Sequence, residues 1–226
     1  MKVELLSYTQ DPITTIEKAA STCYDSDITD GKIMRHCYKS GHHSVLEFAD
    51  FTFKISGVSR ALTHQLVRHR CASYAQRSQR YCKEDGFEYI IPNSISRDCA
   101  NLALYETMIK TIQNVYKEFL DRGIPAEDAR YVLPNACETE ICVKMNLREL
   151  IHFCNERLCA CAQWEIRQLA QAMKKEVNEV APELAKFLVP KCESHEIPYC
   201  NETKSRSCGK HKTTKEIMEV LIKSED

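Results

Sequence analysis

Two stretches of the chain repeat one pattern, in which a two-residue period gives way within a few positions to a helical one. In "VLEFADFTFKI" (45–55), Phe51, Phe53 and Ile55 alternate with Thr52 and Lys54, the period of a half-buried strand. "SGVSRALTHQLVRHR" then places Val58, Ala61, Leu62 and Leu66 on one helix face, with Ser56 or Ser59 available as its N-cap. In the second stretch, "TEICVKM" alternates Ile141, Val143 and Met145. The following "NLRELIHFCNERLCACAQWEIR" carries Leu147, Leu150, Ile151, Cys154, Leu158 and Cys161 at helical spacing, as one amphipathic helix or a helix pair. A chain built this way is of the α+β class.

The rest of the chain fits around these two blocks. "KVELLSY" starts a strand, and "DPITTIEKAASTCY" puts proline near a helix start with Ile13, Ile16, Ala19 and Ala20 on one face. A short helix in "DGKIMRHCYKSGHH" stops at Gly41, a left-handed cap that leaves the next histidines on an exposed turn. A long helix is expected over Ser96–Leu120, ended by Gly123 and Pro125. Beyond Pro190 the sequence turns polar and cysteine-spaced. The expected division is therefore a domain over 1–190 and a C-terminal tail over 191–226.

With 226 residues, 43% of them hydrophobic, there is material for one sizeable core. Lys plus Arg (31) nearly balance Asp plus Glu (32), so any polyanion binding must be local. No run of about 18 apolar residues is present, and "MKVELLSYTQ" lacks the look of a signal peptide. The reading is a soluble cytoplasmic protein with no membrane partner. Thirteen scattered cysteines, an odd number, fit mostly free thiols in a reducing compartment.

Against that balanced charge, "RHRCASYAQRSQRY" (68–81) packs four arginines and a histidine into fourteen positions. If the chain runs extended here, Ser78 and Arg80 face one side and Arg77 and Gln79 the other. Guanidinium forks fit phosphate, and neighbouring hydroxyl and amide groups complete a polar shell suited to a phosphorylated small molecule. Three readings stay open from the residues alone: such a phosphate site, a solvated basic face, or a module that binds nucleotide or single-stranded nucleic acid.

The spacing R-H-R-x7-S, made by Arg68, His69, Arg70 and Ser78 and continued by Arg80-Tyr81, resembles the signature of the flavin-dependent thymidylate synthases. "GHHSVLEFADFTFKISGVSRALTHQLVRHR" is similar to the family's lead-in. "ARYVLPNACETEICVKMNLRELIHFCNERLCACAQWEIR" is similar to its second block, so the likeness spans roughly 1–190. It implies a mixed antiparallel sheet with long helices, in a single domain that assembles as a homotetramer with active sites at subunit interfaces. It also implies reductive methylation of dUMP to dTMP, with FAD, NADPH and 5,10-methylenetetrahydrofolate, no nucleic-acid partner and no cysteine nucleophile.

Carried over by position, the resemblance assigns Gln65, Arg68, Gln76, Arg77, Ser78, Gln79, Arg80, Arg130 and Arg157 to dUMP. It assigns Ser44, Arg68, His69, Arg70, Gln76, Asn146, Arg148 and His152 to FAD, and His42 to the folate and flavin end of the site. Arg157 and Ser78 are the catalytic pair. Arg157 acts as the fixed cation that favours uracil deprotonated at N3, and Ser78 orients the ring instead of attacking it. Asn146 and Arg157, eleven residues apart, share one helix face.

The chain departs from the family pattern at Ala75-Gln76, often Asn-Glu, at His152, often asparagine, and at Cys161, where a flavin-side histidine is often found. Cys154, Cys159 and Cys161 suit plain helix packing. In the tail, Cys192, Cys200 and Cys208 recur every eight residues with His195 and His211 nearby, a set that could hold zinc. It lacks a close C-x2-C pair, and the expectation is exposed thiols without metal.

Overall fold

The structure, a computed structural model, describes residues 1–24 and 27–223; the last three residues of the expected tail lie outside them. In chain order the elements are β1 (Lys2–Tyr8), α1 (Pro12–Tyr24), α2 (Lys32–Lys39), β2 (Asp50–Ser59), α3 (Arg60–Leu66) and β3 (Ala72–Gln76). Then come α4 (Asn93–Ser96), α5 (Cys99–Asp121), α6 (Ala126–Ala129), β4 (Glu138–Asn146), α7 (Leu147–Arg157), α8 (Trp164–Val180), α9 (Pro182–Ala185) and α10 (Thr214–Lys223). The strands form one four-stranded sheet in the order β1-β2-β4-β3. Its pairings are antiparallel: Thr9 N–H meets Asp50 O, Leu147 N–H meets Ala49 O, and Arg60 N–H meets Cys137 O. The expected α+β class is present.

Both strand-to-helix blocks form as their periodicities require. Phe51, Phe53 and Ile55 on β2 are fully buried while Lys54 faces out, and Ile141, Val143 and Met145 do the same on β4. Burying one such phenylalanine contributes roughly 1.5–3 kcal/mol, which fixes which face of each strand turns inward. Ser59 is the cap that starts α3, its hydroxyl accepting from Leu62 N–H at 3.0 Å. Asn146 caps α7 in the same way, accepting from Glu149 N–H at 2.9 Å. Each helix therefore begins where a strand ends, because one polar side chain takes up an otherwise orphaned donor.

The chain groups into two compact units with interleaved segments. The first holds residues 1–2, 54–68 and 74–143; the second holds 3–53, 69–73 and the chain from 144 onward. In the first unit, Phe87, Ile109 and Cys137 make a buried cluster under Tyr89, Tyr105, Ile112 and Leu133. In the second, α7 and α8 pack together through faces that bury Leu150, Phe153, Leu169 and Met173. There, too, fully buried Glu17 of α1 accepts from the Thr29 and Met34 N–H groups, serving as the cap that Gly31 lacks at the start of α2. Burial alone would raise its pKa; these hydrogen bonds bring it below the usual carboxylate range.

Several boundaries differ from those read in the sequence. The long helix α5 begins at Cys99 instead of Ser96, since the Asp98 carboxylate accepts from Asn101 N–H at 2.8 Å and sets the start there. Helix α3 ends at Leu66, so Arg68–Arg70 follow the helix rather than forming its last turn. The region before β2 is a 3-10 turn over His43–Phe48, and Gly41 adopts the expected left-handed conformation at φ 78°. Of the tail, 191–193 form a 3-10 turn and α10 occupies its end.

Candidate active site

In the second unit the assigned residues gather at the two ends of α7. Arg157, its last residue, donates from Nε to Nε2 of His69 at 3.0 Å. A guanidinium has only donors, so Nε2 must be the acceptor and the ring proton sits on Nδ1. Nδ1 in turn lies 3.5 Å from the Glu149 carboxylate, and both His69 and Glu149 are almost fully buried. Burial, with the positive charge of Arg157 second and His152 third, pushes the His69 pKa down to about 4. Burial likewise pushes the Glu149 carboxyl above its usual range, against the pull of His152. A neutral histidine thus aims the cation, and the cation keeps the histidine neutral.

Around this chain of contacts lies a cleft of about 520 Å³ whose lining includes Asn146, Arg148, Glu149, His152, Asn155 and His43. Arg148 is half exposed and pairs with Glu47 at 2.6 Å. His152 is exposed, its ring 5.6 Å from that of His69. A second cleft of about 580 Å³ shares His43, Ile151 and Asn155 and adds Arg35, Tyr38 and Phe187. Asn155 Oδ1 is buried in this region without a hydrogen-bond partner, an acceptor that a bound ring N–H would satisfy. Half-exposed Arg148, whose guanidinium has donors left beyond its pair with Glu47, aromatic walls and an orphaned acceptor together form a donor and acceptor set that fits FAD.

The sequence reading missed Asn155 and Glu149. Their i−2 and i−8 spacing from Arg157 on α7 was the signal, but helix packing accounts for such spacing equally well. The structure also brings the neighbouring histidine to the clefts. His43 lines both clefts, stacked on Tyr38 with Nε2 3.0 Å from the Tyr38 carbonyl, whereas His42 and Ser44 are exposed at the start of the 3-10 turn.

The first unit holds the remaining assigned residues apart from Arg70, which belongs to the second. After Gln76 the strand gives way to a turn, in which Ser78 Oγ accepts from Arg80 N–H at 3.2 Å and Ser78 O accepts from Cys82 N–H at 3.0 Å. The expected alternation over 77–80 is therefore absent, because these hydrogen bonds fold the backbone back on itself. Gln76 donates to Thr63 Oγ1 at 2.9 Å, and Gln79 is buried beside Cys137. Gln65 lies in the last turn of α3, while Arg68 and Arg70 are exposed with no ion-pair partner among the described residues.

Arg80 and Arg130, fifty residues apart, meet at Glu127: Arg80 pairs with its carboxylate and Arg130 donates to its backbone carbonyl at 3.0 Å. Arg77 pairs with buried Glu84 at 3.1 Å, a hydrogen bond that raises the guanidinium's affinity for its proton. Arg60, absent from the sequence reading, donates to Arg77 O at 3.2 Å. Burial, and to a lesser degree the nearby charge of Arg130, lowers its proton affinity. Four guanidiniums face two carboxylates, an excess that suits a phosphate dianion.

The cysteines divide. Cys154 is packed inside α7, burial pushing its thiol up to about 12, as the packing reading expects. Cys159 and Cys161 instead lie in the turn after α7, where Cys161 donates to the carbonyl of Arg206 at 3.1 Å. At the position of the flavin-side histidine, then, the thiol turns to the tail.

Residues 4–183 match the family model described as "Thymidylate synthase complementing protein" (Thy1), and the chain belongs to this family. A flavin-dependent thymidylate synthase of Geobacter sulfurreducens is 44% identical over 98% of this chain and 99% of its own length. That of Pyrococcus furiosus is 40% identical over 99% of each chain. Among solved structures, "a UMP/dUMP methylase PolB from Streptomyces cacaoi bound with 5-Br dUMP" superposes with a TM-score of 0.74 at 21% identity, covering 82% of this chain and 93% of that one, a likeness of fold. No helix among the described residues is long and apolar enough to cross a membrane.

Proposed function

We propose that the protein is a flavin-dependent thymidylate synthase, methylating dUMP to dTMP with 5,10-methylenetetrahydrofolate as carbon donor and NADPH as reductant. FAD, when bound, supplies the hydride carriage between reductant and the transferred carbon. Asn146, Arg148, His152 and Asn155 would hold it in the second unit, with Arg68, His69, Arg70, Ser44 and Gln76 as further expected contacts. Arg157 is the catalytic cation: held at a fixed angle by neutral His69, it stabilises uracil deprotonated at N3 and so drives electron density to the carbon that is methylated. Arg80, Arg130 and Arg77 bind the phosphate of dUMP, and Ser78, Gln79 and Gln65 orient the nucleotide.

The observation that carries this reading is similarity over nearly the whole chain to relatives of that name, with the motif arginines gathered into charged clusters. In the same proposal, residues 1–190 are the synthase domain and 191–226 its tail, the assembly is a homotetramer and the compartment is the cytoplasm, which suits the many free thiols. The test is dTMP formation with dUMP, methylenetetrahydrofolate, NADPH and FAD, each omitted in turn. Purified protein should be yellow and bleach with NADPH. A protein that takes up no flavin and forms no dTMP removes the proposal.

A further inference from the structure

Residues 191–213 carry almost no core: among them only Cys200 and Thr213 are buried, and both side chains are small. Backbone hydrogen bonds pair two parts of the segment, Cys200 N–H donating to Lys212 O at 2.9 Å and Thr214 N–H to Cys200 O at 3.1 Å. A polar stretch of this size ordinarily needs a cross-link besides such bonds. At its two ends, Cys192, Glu193 and His211 bring one thiol, one carboxylate and one imidazole together, their ligand atoms all within 4.8 Å of one another and each residue partly shielded from solvent. His211 Nε2 is buried without a hydrogen-bond partner and lies 3.7 Å from Glu193 Oε1, too far for a hydrogen bond.

We propose that Cys192, Glu193 and His211 form a site for a divalent ion of the zinc class, with water in the fourth position, which closes the segment between them and fixes the tail. At Zn–N and Zn–O distances of about 2.0–2.2 Å, tetrahedral coordination sets two such ligands about 3.4 Å apart. The His211–Glu193 pair, at 3.7 Å, already stands close to that spacing. The thiol needs a shift of about an ångström at most to reach a Zn–S distance of about 2.3 Å. One thiolate, one carboxylate and a neutral imidazole offset the charge of the ion, and the carboxylate that pairs with Lys210 keeps further lone pairs for it. In the other trio of this kind, Cys159, Cys161 and Glu202, the groups are turned to Arg206: Cys161 donates to its carbonyl at 3.1 Å and Glu202 faces its guanidinium at 3.8 Å. The site differs from the set read in the sequence: it keeps Cys192 and His211, draws in Glu193, and leaves out exposed Cys208, buried Cys200 and His195, which stacks on Tyr199. It stands independently of the proposed reaction, since none of its three residues is assigned to substrate or flavin.

The experiment is zinc analysis of the full chain purified in reducing buffer, then exchange of the metal for Co2+ and measurement of the ligand-field bands of four-coordinate cobalt, read beyond the flavin absorption. About one zinc per chain is expected, with cobalt bands that are lost in Cys192→Ser and in His211→Ala and kept in Cys161→Ser and in Cys208→Ser. A chelator should lower the melting temperature of the wild type and leave Cys192→Ser and His211→Ala unmoved, which separates loss of the site from loss of the fold. A chain that carries no zinc and gives no cobalt bands overturns the proposal. So do bands that survive in Cys192→Ser or in His211→Ala, and bands lost in Cys161→Ser, which would put the ion in the other trio.

Discussion

Arg157 donates to His69 across 3.0 Å, joining the end of α7 to a residue 88 positions earlier in the chain. The contact works only while His69 is neutral, and burial beside a permanent cation keeps it so. Replacing Arg157 with alanine should lower the kcat for dTMP formation by about 10²–10³, the usual loss of one preorganised electrostatic donor, while bound flavin is retained. Steady-state kinetics with a flavin absorbance measurement checks it.

His69 also predicts a pH dependence of stability. Its folded pKa, about 4, lies below its ordinary value of 6.5. The unfolded chain therefore binds the proton first as pH falls. Stability is complete above about 6.5 and declines between there and about 4, by at most about 3 kcal/mol from this group. Glu149, whose carboxyl is raised, acts in the opposite sense. Melting curves from pH 7 to 4.5 should fall less steeply for His69→Gln than for the wild type; parallel curves would refute the assignment.

Arg80 and Arg130 share Glu127, and both are assigned to the phosphate. Either alanine variant should raise the KM for dUMP about tenfold or more, since a charge-assisted hydrogen bond contributes roughly 1.5–3 kcal/mol, with a smaller effect on kcat. A dUMP titration at saturating cosubstrates distinguishes this from general damage, which would lower kcat alone.

Asn155 offers a buried acceptor with nothing to accept from. Asn155→Leu should leave the melting temperature of the flavin-free protein within a few degrees, because no hydrogen bond is lost. It should weaken flavin binding about fivefold or more, read by equilibrium dialysis with FAD. Unchanged flavin affinity would remove Asn155 from the site.

Ser59 tests the architecture itself. Ser59→Ala removes the α3 cap and should cost about 1 kcal/mol, a few degrees in melting temperature, with cofactor content unaltered.

What the sequence determined by itself is what local physics decides. The alternation of Phe51, Phe53 and Ile55 and of Ile141, Val143 and Met145 set two strands, and Ser59 and Asn146 set the helices after them, since side-chain period and capping act within a few residues. The R-H-R-x7-S spacing marked the chemistry. Tertiary structure decided everything that depends on residues far apart in the chain. It put His69 under Arg157, brought Arg80 and Arg130 to one glutamate, chose His43 over His42 for the cleft wall and turned Cys161 toward the tail. Those outcomes rest on burial and on long-range pairing of charge. Neither leaves a periodic trace in the sequence, because the partner's position along the chain is set by the fold and not by its neighbours.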